Sequence, residues 1–278
     1  MSTAIRTGGA RSAPAYREIL ARLFGARLAD KIARPGATRL IIVIGVFILW
    51  EVGVTFFGDP LFVSPPSEVM EAFGGLVDDK AIVGAVTTTF WEVAVGFAMS
   101  VASGVLIGLA VGLNIFTRRS IFPVILLLYA TPQVVFLPLV IMYFGIGSAS
   151  KIAFGVSHGI FPIIVTVVAG VQNLSPVLLT SARSMGANRR QILRWVVFPH
   201  MVPSLFTGMR LGMTGVLLGV LLAELYVSSG GIGYYTRLYT DTFAPAKVFS
   251  LILVLATFAI LLNELARRAE FHFNRWRG

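Results

Sequence analysis

Six stretches of the chain are apolar over lengths that suit a membrane: Leu40–Phe57, Val93–Phe116, Ile121–Phe144, Ile152–Val171, Leu205–Val227 and Val248–Leu265. About 20 such residues carry a helix across a bilayer. Long runs without strict alternation predict helices rather than the strands of a membrane barrel. The pattern therefore predicts an all-α membrane protein with six transmembrane helices and no large soluble domain. Small residues are periodic within two of the runs. Gly96, Ser100, Gly104, Gly108 and Gly112 recur every four residues, and Gly208, Gly212, Gly215, Gly219 and Ala223 follow a similar face. Such ridges let helices approach backbone to backbone, or else line a ligand path; close packing is the plainer reading. The third run holds Pro123, Pro132 and Pro138, each of which removes a backbone hydrogen bond and kinks a helix. Pro132 and Gln133 fall in mid-membrane. Their freed carbonyls and amide either face a translocation path or mark a purely structural kink.

Charge orients these runs. Of 23 Lys and Arg, eight precede the first run. Arg118 and Arg119 follow the second, Arg183, Arg189, Arg190 and Arg194 follow the fourth, and Arg267, Arg268, Arg275 and Arg277 follow the sixth. The other connections hold only Lys80, Lys151, Arg237 and Lys247. A bias of 18 to four places both termini in the cytoplasm by the positive-inside tendency. The same bias accounts for the net charge of +10 without nucleic acid as a partner. Only 13% of residues are charged, against about 25% in soluble domains. There is no cysteine, and His158, His200 and His272 are scattered. Thiol chemistry and a Cys-based metal site are excluded, and the histidines form no metal constellation.

The chain divides into a basic N-terminal segment (1–38), a transmembrane domain (39–268) and a basic tail (269–278). Pro14 to Ala33 has helical periodicity, with Ile19, Leu20, Leu23, Phe24, Leu28 and Ile32 on one face and Arg17, Arg22, Arg27 and Lys31 around it. It reads as an amphipathic helix on membrane lipid, a helix packed on the membrane domain, or a solvated basic segment.

The most informative connection is Asn173 to Pro203, with TSARSMGANRRQILRWVVFPHMVPS from Thr180. It has four arginines and no acid, and it reads as two short helices hinged at Gly186-Ala187. This segment resembles the cytoplasmic coupling loop of ABC-importer permeases, patterned Glu-Ala-Ala, three residues, Gly, nine residues, Ile-x-Leu-Pro. Ala182 fits the last Ala, Gly186 the Gly, and Val196, Phe198 and Pro199 the closing residues. Thr180 and Ser181 stand where the family has Glu and Ala. Segments 62–69, 144–151 and 223–234 also resemble the nitrate/sulfonate/taurine branch of these permeases, so the resemblance covers roughly Leu61 to Glu264.

The resemblance implies a type I ABC-importer permease fold in a bacterial inner membrane. It also implies a second permease copy, a cytoplasmic ABC ATPase dimer, and a periplasmic or lipid-anchored substrate-binding protein. The chain has no G-x-x-x-x-G-K-[ST], so it is expected to bind no cofactor, with ATP and Mg on the ATPase and no catalytic residue here. Docking would fall on Thr180, Ser181, Ala182, Arg183, Ser184, Gly186, Ala187, Arg189, Arg190 and Pro199. Gly186 would allow a sharp turn. Thr180 and Ser181 would cap a helix, and Pro199 would stop the second short helix.

Ionisable residues inside the runs are the remaining lead, because burying them in hydrocarbon is costly. Arg210 is expected to brace the coupling loop or to meet an anionic substrate. Glu224 would line an outer gate or sit in interfacial water, and Glu51 and Glu92, near run ends, are expected to be wet. With Pro132 and Gln133, Arg210 and Glu224 are the candidates for a translocation path. The tyrosine-rich segment 228–247 suits a membrane interface or a docking surface. The expected function is ATP-driven import of a small solute by alternating access, the solute being a sulfonate-, taurine- or nitrate-like anion. A vitamin precursor is the alternative, and a secondary transporter without an ATPase is a further one, although no convincing inverted repeat is visible.

Overall fold

The computed structural model describes residues 35–274. The amphipathic stretch expected at 14–33 and the end of the basic tail lie outside the described residues. By contacts the chain forms two units, Met1–Ser67 and Glu68–Gly278.

In the first unit α1 spans Pro35–Phe57 and is predominantly apolar, with Arg39 and Glu51 its charged residues. Glu51 is not simply hydrated. Its carboxylate accepts hydrogen bonds from the Ser67 amide at 3.0 Å and hydroxyl at 2.7 Å, which pins the chain after α1.

The second unit begins in α2 (Pro66–Asp78) and continues through α3 (Lys80–Leu113), α4 (Ile115–Ala130), α5 (Leu137–Phe144) and α6 (Ser148–Gln172). Next come α7 (Pro176–Ser184), α8 (Arg189–Ile192), α9 (Phe198–Val227), α10 (Ile232–Asp241) and α11 (Pro245–Asn274). Among the described residues five helices are long and apolar enough to cross a membrane, and a sixth crossing results if the bent pair α4 and α5 counts as one.

Two helices differ from the hydrophobic runs. α3 starts 13 residues before the expected Val93, at Lys80. Asp79 caps it by accepting from the Ala81 amide at 2.8 Å, and Thr87 and Thr88 return their hydroxyls to carbonyls four residues back. Those bonds hide the polar groups that interrupt the run. The third run is broken rather than kinked, with an 86° bend between Ile115–Ala130 and Gln133–Phe144. Thr131, which precedes Pro132, is extended at φ −72° and ψ 134°, because the proline ring disfavours helical geometry at the residue before it. A single 3₁₀ turn, Gln133–Phe136, leads into α5.

The core is α6, held between α3 and α9. Lipid supplies no hydrophobic drive between helices, so close van der Waals approach must hold them. On the α3 side, Gly104 and Gly108 face Ile163 and Val167, and a Cβ on either would lie within 3 Å of those side chains. On the α9 side, Gly215 faces the His158 carbonyl and Gly219 the Cα of Gly155. Phe154, Ile163, Val167, Val168, Met201, Val216 and Val220 are fully buried between the three helices. Both small-residue ridges are therefore used for packing.

Gly212→Leu tests this arrangement, since a Cβ there would fall 2.7 Å from the Ile163 side chain and 2.9 Å from the Gly159 carbonyl. Overpacking of this kind costs about 1–3 kcal/mol. Thermal melting in detergent is expected to drop for Gly212→Leu and to hold for Gly74→Leu, a helical glycine with nothing within 4 Å.

Candidate functional site

The bundle has a distinct construction at each end of α6. Beyond Gln172 lies the connection 173–203. Pro176 opens α7, and the Thr180 hydroxyl returns to the Pro176 carbonyl at 3.0 Å. Thr180 and Ser181 are therefore within the helix and cap nothing; Ser175 occupies the N-cap. Ala182 is buried, while Arg183, Ser184, Met185 and Gly186 are exposed. Two bonds close the helix end, from the Gly186 amide to the Arg183 carbonyl at 2.9 Å and from the Ala187 amide to the Ala182 carbonyl at 3.0 Å. This pairing is a Schellman closure, which needs a left-handed residue at the position Gly186 fills. Gly186 has φ +79°.

Two residues later the chain enters α8. Asn188 Oδ1 accepts from the Gln191 amide at 2.9 Å, and Gln191 Oε1 accepts from the Asn188 amide at 2.8 Å. This reciprocal box satisfies two donors at a helix start. Pro199 does not stop the helix, contrary to the expectation. The chain widens to a π turn over Leu193–Val197 and continues as α9. Pro199 has no N–H to return to Trp195, so regular α-helical bonding is lost there and a wider turn takes it up.

One side of this segment is anchored. Leu174, Val197 and Met201 are buried with Ile163 and Val167, and Leu179, Ile192 and Val196 pack against them. The other side presents exposed Arg183, Arg189, Arg190 and Arg194 beside Met185 (80% exposed) and Trp195 (70% exposed). The Arg194 guanidinium lies 5.5 Å from the Trp195 ring centre.

Arg210 does not reach the coupling segment. Its guanidinium pairs with Glu270 of α11, fastening α9 to the last helix. Gln133 opens the 3₁₀ turn, and its Oε1 is buried without a hydrogen-bond partner among the described residues. Beside the break is an apolar groove of about 530 Å³ lined by Val134, Leu137, Pro138, Ile141, Met142, Tyr226 and Val227. Pro132, Gln133, Arg210 and Glu224 are not among its lining residues, so the four path candidates do not converge on it.

The opposite end of α6 holds a charged cluster. Lys151, in the first turn of α6, puts Nζ 2.6 Å from Glu92 Oε1 of α3 and 3.8 Å from Glu224 Oε1 of α9. Neither carboxylate has any exposed side-chain surface, and Lys151 has 7%. Glu92 is thus not wet, and Glu224 is not an interfacial carboxylate in water. Thr89 donates to Glu224 Oε1 at 2.8 Å and accepts from the Ile232 amide at 2.9 Å. The Gly233 amide donates to Glu224 Oε2 at 2.9 Å, and Lys151 Nζ donates to the Gly230 carbonyl at 3.4 Å. Removing one member of such a set leaves a buried charge uncompensated, at a cost of about 3–5 kcal/mol. Of its four side chains only Glu224 was named from the sequence as a site. The missed signal is placement: Glu92, Lys151 and Glu224 each fall at the arginine-poor end of a hydrophobic run, with charges of both signs.

α10 covers this cluster. Ile232 is fully buried with Leu76, Ile82 and Leu251, and Tyr235 and Tyr239 pack against them. Tyr234 lies under the Arg237 guanidinium at 5.7 Å, and Lys247 lies over Tyr239 at 5.1 Å.

Residues 104–276 match the family described as binding-protein-dependent transport system inner membrane component. The chain belongs to this family. As a binding-protein-dependent permease it is a multi-pass component of the inner membrane, a transport subunit that works with an ATPase and a substrate-binding protein. It is 28% identical over 239 residues to the taurine transport system permease protein TauC of Escherichia coli (strain K12), covering 83% of this chain and 86% of the relative. It is 25% identical to the putative aliphatic sulfonates transport permease protein SsuC of Bacillus subtilis (strain 168), covering 88% and 91%. It is 24% identical to the formylaminopyrimidine transport permease protein ThiX of Halalkalibacterium halodurans, covering 84% and 92%. Among solved structures, a chain of the MetNI methionine ABC transporter superposes with a TM-score of 0.58 at 20% identity, over 66% of this chain and 94% of that one. The fold is that of a type I importer permease.

Asn188→Ala removes the side chain that caps the permease's α8. Such caps are worth about 0.5–2 kcal/mol. Amide exchange at Gln191 is expected to rise by about tenfold, while exchange in α6 stays unchanged.

Proposed function

We propose that the chain is the membrane-spanning subunit of an ATP-driven importer for a small organic or inorganic anion, of the sulfonate, taurine or nitrate kind. The observation that carries this reading is the segment Pro176–Pro199: a hinged pair of short helices, anchored on α6 and α9 by its apolar side and basic on its exposed side. Two copies of the chain would enclose the path, with both termini and this segment in the cytoplasm. ATP and Mg would be held by the ATPase dimer. The exposed arginines suit carboxylates on the ATPase or lipid phosphates, and Met185 and Trp195 suit an apolar groove on the ATPase. The Schellman closure at Gly186 and the box at Asn188 give the segment a fixed shape, so closure of the ATPases would swing it as a unit. Continuity of α8 through the π turn into α9 carries that swing into the bundle, which would open alternately to each side.

The anion reading rests on similarity to the TauC and SsuC permeases and to the nitrate import permease protein NrtB of Leptolyngbya laminosa, 24% identical over 239 residues. A vitamin precursor is the second reading. It is favoured by the likeness to ThiX and to the riboflavin transport system permease protein RibX of Chloroflexus aurantiacus, 27% identical over 232 residues. Uptake of labelled taurine, nitrate and formylaminopyrimidine by the reconstituted importer separates the two.

Gly186→Val tests the coupling role. A β-branched residue at φ +79° is strained by about 1–3 kcal/mol, so the closure should open. The variant is expected to insert normally, to lose most of its ATPase in a pull-down, and to import at least tenfold more slowly. Unchanged pull-down and uptake would remove the segment from the mechanism.

A further inference from the structure

We infer that the buried Glu92–Lys151–Glu224 cluster, with Thr89, transmits displacement of α10 to the three central helices. This inference rests on the importer reading, in which the end of the bundle carrying α10 faces the substrate-binding protein.

The attachment of α10 is unusual in where its bonds go. The Gly230 carbonyl goes to Lys151 of α6, the Ile232 amide to Thr89 of α3, and the Gly233 amide to Glu224 of α9. These three contacts end on three different helices of the core, and the Gly230 carbonyl and amide are also bonded locally to the Ser228 hydroxyl. Gly231 makes the approach possible. At φ +99° its missing Cβ leaves the space occupied by the Glu224 carboxylate, so any side chain there would push α10 off the cluster. A helix start also favours a carboxylate beside its free amides.

The physical consequence is all-or-none behaviour. A shift of α10 by about 1 Å stretches contacts of 2.9 Å beyond hydrogen-bonding range. Glu224 then loses the Gly233 amide and competes with Glu92 for one ammonium. Glu92 Oε2 already has no hydrogen-bond partner among the described residues. In a dry interior a partly paired set is the least stable arrangement, so the cluster either moves with α10 or rearranges as a whole. Because its members sit on α3, α6 and α9, rearrangement changes how those helices meet. Glu92, Lys151, Glu224 and Thr89 are thus positioning residues, and the exposed parts of α10 are the surface on which the binding protein would act.

Thr89→Val tests the inference, because it keeps the side-chain shape and all three charges and removes only the hydroxyl between Glu224 and Ile232. The assembled transporter, two permeases with their ATPases, is measured in lipid. One readout is amide exchange at Ile232 and Gly233. The other is the ratio of ATPase rates with and without the binding protein. The expected result is exchange at least tenfold faster and a ratio falling toward one. Faster exchange with a wild-type ratio would make the cluster a structural fastening only and overturn the inference, as would unchanged exchange. If Thr89→Val fails to fold, Lys151→Arg, which keeps the charge but alters its reach, is read by the same two criteria. A ratio of one in the wild-type transporter would instead defeat the importer reading, and this inference with it.

Discussion

The backbone of α6 lies against the backbones of α3 and α9, and the rest of the second unit is arranged around that fact. Water drives apolar surfaces together in a soluble core, but lipid gives helices no such push. Contact must come from fit. Gly155 and Gly159 of α6 meet Gly212, Gly215 and Gly219 of α9, while Gly104 and Gly108 of α3 let the branched Ile163 and Val167 in from the other side. With 25 residues, α6 runs about 37 Å, so this contact joins the two ends of the bundle rigidly.

What hangs on each end differs in chemistry. At the C-terminal end of α6 the chain leaves the bundle for α7 and α8, whose shape is set by backbone closures and a reciprocal cap, and whose exposed side is basic. At the N-terminal end Lys151 binds two carboxylates from the neighbouring helices and holds α10 over them. One end is an exposed basic surface; the other is a buried set of charges under a short helix. A central helix that connects the two is what an importer needs if events on one side of the membrane are to be felt on the other.

Much of this was legible in the residues. Hydrophobic runs located the five long membrane helices and the broken pair α4 and α5, and the four-residue glycine period marked faces for which close packing was the plainer reading. Gly186 was recognisable from spacing, and its left-handed backbone gives that spacing a physical cause. Other features depended on tertiary context. The break at Thr131–Pro132 follows from the effect of proline on its predecessor, yet an 86° bend is not distinguishable from a mild kink in a sequence with three prolines. Pro199 is tolerated because the helix widens before it. Arg210 finds Glu270, 60 positions away, and Glu92 finds Lys151; such pairs become visible only when the helices are placed together.

The central claim is that residues 176–199 form the ATPase-facing surface of an ATP-driven permease. Because the chain has no cysteine, Met185→Cys introduces a single reactive thiol at a position that is 80% exposed. Labelled in membranes with a photoactivatable cross-linker, it should give one adduct joining the permease to its ATPase, and Thr242→Cys, beyond α10, should give none. An adduct from Thr242→Cys, or none from Met185→Cys, would contradict the account.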